Sequence, residues 1–253
     1  MTTRTQIDEI VVVIPANNEE ALLGECLSAL EVATRVVTQQ KQHQRHQYGL
    51  LISQPNQQGA SVPSIRIVLV LDDCTDGSAA IADQWPFVEV LTVQFRNVGR
   101  ARAHGIAHAL HHSAVANAEC IWIANTDADS QVPPLWIARQ LAIARSGIRL
   151  MIGSVRPDPR DLTAEQRDRW AARHPVNSEA LRIYGANLGV RADDYLSAGG
   201  FPAITEHEDV VLVDRLQRAG VMGAVSHSCW VQTSARTVGR TPGGFAAHVR
   251  ENY

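Results

Sequence analysis

Residues 10–20 read Ile10-Val11-Val12-Val13-Ile14-Pro15-Ala16-Asn17-Asn18-Glu19-Glu20. The first five are apolar and β-branched without interruption, the pattern of a parallel strand buried on both faces. Pro15 ends the run. Asn17 or Asn18 offers a helix cap, with Glu19 and Glu20 in a first turn where the helix dipole favours acids. Leu22, Leu23, Cys26, Leu27 and Leu30 then recur at helical spacing. The chain therefore opens strand–turn–helix, and the same order repeats downstream. Residues 67–71 form a second buried run ending in Asp72-Asp73-Cys74-Thr75-Asp76-Gly77, followed by a short helix over 78–84 and a strand over 88–93. Asn97-Val98-Gly99 turns into a helix over about 100–115. Residues 121–124 form a strand ending in Asn125-Thr126-Asp127-Ala128-Asp129-Ser130. Pro133 and Pro134 start a helix reaching Ser146, and 150–155 read as another strand. This alternation predicts an α/β, doubly wound, mainly parallel sheet of Rossmann-like type.

The second half is less regular. Residues 156–175 are charged and Pro-flanked, as for a helix plus loop. A small-residue segment, 184–190, leads into a strand, and Gly199-Gly200-Phe201-Pro202 makes a turn. Glu206-His207-Glu208-Asp209 opens an amphipathic helix carrying Val210, Val213 and Leu216. Residues 223–231 suit a strand, 234–240 are basic, and Gly243-Gly244 precede a short helix. Residues 39–64, rich in Gln, Ser, Pro and Gly, read as a flexible surface insertion. No boundary divides the chain, so a single domain over 1–253 is expected.

Composition narrows the chemistry. The 253 residues are 45% hydrophobic and 19% charged, enough apolar material for a sizeable core. A net charge of −3 argues against nucleic acid as a partner, which needs a basic face. No apolar run approaches the roughly 18–20 residues of a membrane span, and the first ten residues lack an apolar signal core. Cys26, Cys74, Cys120 and Cys229 form no CxxC pair and are expected as free thiols in a reducing cytoplasm. Lys41 is the only lysine and lies in a Gln/His-rich stretch. That excludes P-loop kinases, PLP enzymes and haloacid-dehalogenase-type phosphatases, which need a well-placed lysine. No Gly-x-Gly-x-x-Gly follows the first strand, which excludes a dinucleotide fingerprint.

In open parallel sheets ligands bind at the carboxyl ends of strands. Three such ends carry polar clusters here, at 15–20, 72–76 and 126–129. Carboxylates gathered at one sheet edge repel each other unless a cation or hydrogen-bonding ligand sits among them. Asp127 and Asp129, two residues apart, face the same way on an extended segment. Hard oxygens so arranged suit Mg²⁺ or Mn²⁺, whose shell is completed by phosphate oxygens and water. Arg100, Arg236 or Arg240 can add phosphate-directed charge.

Seven segments, in order, now carry a resemblance: residues 13–20, 71–78, Asn97 to Ala103, Thr126-Asp127-Ala128-Asp129, Gly185-Ala186-Asn187-Leu188, Gly199-Gly200-Phe201 and Glu208-Asp209. Together they resemble a family 2 glycosyltransferase of the GT-A fold across roughly residues 9–245. The resemblance implies a nucleoside diphosphate sugar donor, Mg²⁺ or Mn²⁺, and inverting transfer to a hydroxyl acceptor, whether small molecule, glycan or lipid-linked with peripheral membrane contact. It implies a nucleotide-sugar half over 1–150 and a smaller acceptor half over 151–253. By the same carry-over, Pro15, Ala16 and Glu19 line the nucleoside pocket, and Asp72 or Asp73 meets the base. Arg100 lies near the donor, Asp127 faces ribose and metal, and Asp129 ligates the metal. Gly185 and Asn187, with the Gly199 turn, shape the sugar and acceptor pocket. Glu208 and Asp209 are the acidic pair, with Asp209 as general base. Asn17 departs from the family pattern, since an aromatic residue is common there. Residues 39–64 are longer than usual. No third metal ligand is evident, His227 being the candidate.

Two alternatives share these features, a nucleotidyltransferase-like enzyme and a non-catalytic sugar-nucleotide-binding protein. The first normally has a Gly-rich, Arg/Lys-bearing opening turn, which is missing here. His104, His108, His111 and His112 bring three imidazoles onto one helix face, but with no carboxylate or thiol nearby they read as an ordinary partly exposed helix rather than a zinc site. Trp170, in the charged segment, is a packing residue by default and a candidate border of the acceptor pocket.

Overall fold

The opening run becomes β1 (Glu9–Ala16), and all eight of its residues are buried. Its alternation across the pleat divides the core in two. Ile10, Val12 and Ile14 pack with Leu23, Cys26, Leu27, Trp136 and Ile137 on one face. Val11 and Val13 pack with Ala101, Ile106, Leu212 and Leu216 on the other. Burying such side chains contributes about 1.5–3 kcal/mol each, which is why this strand lies inside the sheet. The structure, a computed structural model, describes residues 6–43, 62–173 and 183–236, together with Phe245 and Val249.

In chain order the elements are β1, α1 (Leu23–His43), β2 (Ser64–Asp72), α2 (Ser78–Ala82), β3 (Val88–Val93), α3 (Val98–His111), β4 (Ile121–Asn125), β5 (Ser130–Gln131), α4 (Trp136–Arg145), β6 (Leu150–Pro157), α5 (Ala164–Arg173), β7 (Leu188–Arg191), α6 (Ala192–Ser197), α7 (Glu208–Arg218) and β8 (Gly223–Thr233). They form one sheet of eight strands in the order β3-β2-β1-β4-β7-β6-β8-β5. The half built from β3, β2, β1 and β4 is parallel throughout, as the alternating pattern predicts. β7 pairs antiparallel with both β4 and β6, and β5 antiparallel with β8.

Several expectations change in detail. Neither Asn17 nor Asn18 caps a helix; α1 starts five residues after Asn18, at Leu23, and the intervening turn grips the loop after β2. The Asn17 amide donates to the Asp72 carbonyl at 2.6 Å, and Asn18 Oδ1 accepts from the Thr75 amide at 2.7 Å. Helix α1 continues to His43 and β2 begins at Ser64, so both ends of the expected 39–64 insertion belong to regular elements; residues 44–61 of it lie outside the described residues. β5 and α6 were not foreseen. Among the described residues no helix is long and apolar enough to cross a membrane.

Candidate active site

The carboxyl ends of β1, β2 and β4 converge on a cleft of about 990 Å³, which the 183–186 segment and the start of α7 wall from the other side. Pro15, Ala16, Asn17 and Glu19 line it from the β1 turn; Asp72 and Asp73 from the β2 end; Asp127 and Asp129 from the β4 end; Gly185, Glu208 and Asp209 from the far wall. Tertiary folding thus gathers acids drawn from four separate segments into one space.

Asp72 is 4% exposed, and its carboxylate accepts the backbone amides of Phe95 (2.6 Å), Arg96 (2.9 Å) and Asn97 (2.9 Å). It braces the loop into α3. Asp73 lies further out on the cleft wall, in a left-handed backbone conformation (φ 55°), paired with the exposed Arg96. Of the two alternatives for the base contact, Asp73 is the one with its carboxylate not taken up by the backbone.

The largest difference from the sequence reading concerns arginine. Arg100 is exposed, does not line the cleft, and lies over the Phe95 ring at 4.3 Å. Asn97 caps α3 by accepting from the Arg100 amide; on the helix so started, Arg102, two positions on, turns inward instead. Arg102 is 2% exposed beneath the cleft. Its Nη2 donates to Asp127 Oδ1 at 2.5 Å, its Nε to Glu208 Oε1 at 3.2 Å, and its Nη1 to the Thr126 carbonyl at 3.4 Å. Although burial opposes its charge, Asp127, Glu208 and Asp209 together raise its pKa further. The available signal was spacing: Arg102 precedes Ile106 by four positions on the buried face of α3, where an unpaired charge would be costly. Gly185 makes room for it, since a Cβ there would stand 2.7 Å from Arg102 Nη2.

Glu208 and Asp209 differ in kind. Glu208 is buried, and burial raises its pKa despite the Arg102 guanidinium. Asp209 faces the cleft; Oδ2 accepts from the Gly185 amide at 2.6 Å and Oδ1 from the Val210 amide at 2.7 Å. Burial also raises its pKa above the usual aspartate value, against the pull of those amides and of Arg102.

Asp129 is 14% exposed. Oδ1 accepts hydroxyl protons from Ser130 (3.3 Å) and Thr233 (3.1 Å). Burial and the neighbouring Asp127 push its pKa up to about 6, with Arg236 pulling the other way. Arg236 sits in the cleft with Nη1 and Nη2 each donating to one oxygen of Glu19 at 2.9 Å, and Nη2 also 2.9 Å from Asp129 Oδ2.

Besides Arg100, two expected residues, Asn187 and His227, and the expected Gly199-Gly200-Phe201 turn are absent from the lining of this space. Asn187 is fully buried under the cleft floor; its Oδ1 accepts from Trp136 Nε1 at 3.0 Å and its amide donates to the Ser154 and Cys229 carbonyls. Two of those partners, Trp136 and Cys229, belong to the core and the third, Ser154, lies on β6, so Asn187 holds strands together. His227 is exposed on β8, where the register against β6 shifts, and is absent from the cleft lining. A third metal ligand at His227 therefore has no geometric basis. Among the described residues no three His, Cys, Asp or Glu side chains form a metal cage, which also removes the helical histidines: His108 pairs with Glu89 and packs on His112. Trp170 stays behind the wall, edge-on to Phe245 at 5.9 Å, and Phe245 rather than Trp170 lines the cleft beside Tyr184.

The fold is similar to that of several solved structures, among them a mannosyltransferase and a glucosyl-3-phosphoglycerate synthase. S. aureus TarS 1-349 in complex with UDP matches with a TM-score of 0.61 and 11% identity, covering 90% of this chain and 61% of that one. The mannosyltransferase PcManGT from Pyrobaculum calidifontis, in complex with GDP-Man and Mn²⁺, matches with a TM-score of 0.59 and 17% identity over 94% of this chain and 60% of that one. Glucosyl-3-phosphoglycerate synthase from Mycobacterium tuberculosis, with Mn²⁺, UDP and glucosyl-3-phosphoglycerate, matches with a TM-score of 0.54 and 17% identity over 89% and 71%. The chain thus spans about three fifths of the length of the first two. No curated protein sequence matches it. The profile described as Glycosyl transferase family 2 matches residues 51–195, more than half of the chain, and with the GT-A architecture above the chain belongs to that family.

Proposed function

We propose that the chain transfers a sugar from a nucleoside diphosphate sugar to a hydroxyl acceptor with inversion, using a divalent cation. The observation that carries this reading is the single cleft that sets Asp127 and Asp129 on the β4 side and Asp209 on the α7 side. Asp127 and Asp129 both present hard oxygens to this cleft, the first beside Arg102 and the second beside Arg236. Asp127 and Asp129 would hold Mg²⁺ or Mn²⁺, with diphosphate oxygens and water completing the shell. When bound, that ion supplies positive charge to the departing diphosphate.

The chain's own residues supply the rest. Pro15, Ala16 and Asp73 border the nucleoside end, with Asp73 placed to accept from the base. Arg102, locked between Asp127 and Glu208, fixes the donor-side carboxylate and the acceptor-side helix start relative to each other. Asp209 takes the acceptor hydroxyl proton as that oxygen bonds to the anomeric carbon. The carbon–oxygen bond to the diphosphate breaks, and its electron pair leaves with the diphosphate. A base raised above ordinary aspartate values by burial suits proton abstraction near neutral pH. Attack from the face opposite the leaving group inverts the anomeric centre. The acceptor side, lined by Val155, Ile183, Tyr184, Val210 and Phe245, suits the apolar faces of a sugar or lipid-linked acceptor. The four free cysteines support a cytoplasmic setting.

A thermal-shift screen of UDP- and GDP-sugars with Mn²⁺ tests the reading, since a ligand at 100 times its Kd stabilises by about 2.7 kcal/mol. Stabilisation by one nucleotide class, lost on chelation and in Asp129→Ala, is expected. Equal stabilisation of Asp129→Ala would remove the metal from the account.

A further inference from the structure

Arg236 occupies the place in the cleft where a cation is most needed. One guanidinium nitrogen, Nη2, touches both Glu19 and Asp129 at 2.9 Å, while Nη1 completes a bidentate pair with Glu19. The three side chains are 30%, 8% and 14% exposed respectively, so water screens the carboxylates only partly. The Glu19 backbone is held in the turn, its amide donating to Ser78 Oγ at 2.9 Å and its carbonyl accepting from Leu22 and Leu23, so its side chain starts from a fixed point beside Arg236. Asp129 is pinned through Oδ1 by two hydroxyls, leaving Oδ2 for Arg236. Asp127 is different, since its partner is the buried Arg102.

We propose that Arg236 is a built-in counter-cation for Glu19 and Asp129 that competes with the divalent ion for Asp129, so that the ion binds weakly to the free protein and tightly only with a nucleoside diphosphate. The inference rests on the reading of Asp129 as a metal ligand. Its logic is charge balance. A +2 ion and a guanidinium held at one carboxylate oxygen repel each other, and seating the ion there requires Arg236 to leave. A diphosphate gives the displaced guanidinium a new anionic partner, a geometry arginine suits. It also gives the ion the oxygens that the described side chains lack. Donor and metal binding are thereby coupled through Arg236, and coupling of this kind is typically 5–150-fold.

The experiment is direct Mn²⁺ titration by electron paramagnetic resonance on the wild type, Arg236→Gln, Arg236→Lys and Asp129→Ala, each with and without UDP or GDP, with circular dichroism to check folding. Without nucleotide, Arg236→Gln is expected to bind Mn²⁺ about tenfold more tightly than wild type, with Arg236→Lys between them. The enhancement of Mn²⁺ affinity by nucleotide should shrink in Arg236→Gln. Equal or weaker Mn²⁺ binding by Arg236→Gln overturns the inference while leaving the metal reading intact, provided Asp129→Ala loses Mn²⁺. If Asp129→Ala binds Mn²⁺ as wild type does, the metal reading itself fails, whatever Arg236 does.

Discussion

Replacing Arg102 with methionine isolates the central electrostatic device of the cleft. Methionine fills much of the same volume without charge. The change leaves Glu208, whose side chain is 7% exposed, and Asp127, at 34%, without their shared counter-ion. Removing one partner of a buried pair costs about 3–5 kcal/mol. Asp127 is partly screened by water and adds little, so the lower end, about 3 kcal/mol, is expected. In a chain of this size 1 kcal/mol moves Tm by about 2–4 °C, giving a fall of about 6–12 °C at pH 8. The pH dependence identifies the cause. Burial already holds Glu208 above the usual carboxylate range with Arg102 present; without the guanidinium it rises further. A carboxylate with a raised folded-state pKa contributes stability that is present below its unfolded value, about 4.3, and lost as pH rises through the folded value. The deficit of Arg102→Met should therefore be largest at pH 8 and shrink toward pH 5. Adding Glu208→Gln should recover stability at pH 8, with a coupling of about 1–3 kcal/mol. Calorimetry of the wild type, Arg102→Met, Glu208→Gln and the double variant at both pH values is the assay. An equal fall at pH 5 and pH 8, together with no recovery in the double variant, would refute the argument that Arg102 acts as a buried counter-ion.

Further outcomes follow from the same geometry. Asp209→Asn should lower sugar transfer by about 10²–10⁴-fold while UDP or GDP still binds by calorimetry; loss of both together would point to a binding role. In the wild type, burial of Asp209 places the acid limb of kcat/KM above the ordinary aspartate value of about 3.9, and a limb at or below that value would contradict its assignment as base. Asp129, raised to about 6, works against folding when ionised; metal-free Asp129→Asn should be more stable than wild type at pH 8 by up to about 3 kcal/mol, with the gain gone near pH 4. Gly185→Ala drives a Cβ to 2.7 Å from Arg102 Nη2, expected to cost about 1–3 kcal/mol; thermal denaturation should find that cost reduced in an Arg102→Met background, and an unchanged cost would place the strain elsewhere.

The parallel half of the sheet was legible in the sequence. Continuous β-branched runs such as Val11–Val13 have one low-energy placement, between two apolar layers, and the polar residues after each run mark the strand's carboxyl end. Asp127 and Asp129 stood out in this way, because chemistry at a strand end is a local pattern, whereas Glu19 and Asp209 were singled out by the family resemblance. The antiparallel β7 was not legible. Four residues, Leu188–Arg191, carry no directional signal, and their orientation depends on the path of the chain before them.

The sequence by itself determined the fold class, the family and the supply of acids for the cleft. Tertiary structure alone decided which arginine matters. Arg100 and Arg102 stand two positions apart in one short motif, and only the packing of α3 against the sheet and α7 turns the second inward to meet Asp127 and Glu208. Asn187 and His227 fall outside the cleft for the same reason: the first is enclosed by Trp136 and two backbone carbonyls, the second is carried outward by an irregular strand. Arg236 reaches Glu19 across 217 positions of sequence. Local spacing encodes which chemistry a segment can offer, but electrostatic pairing depends on distances of a few ångströms, and those are fixed only when distant segments pack.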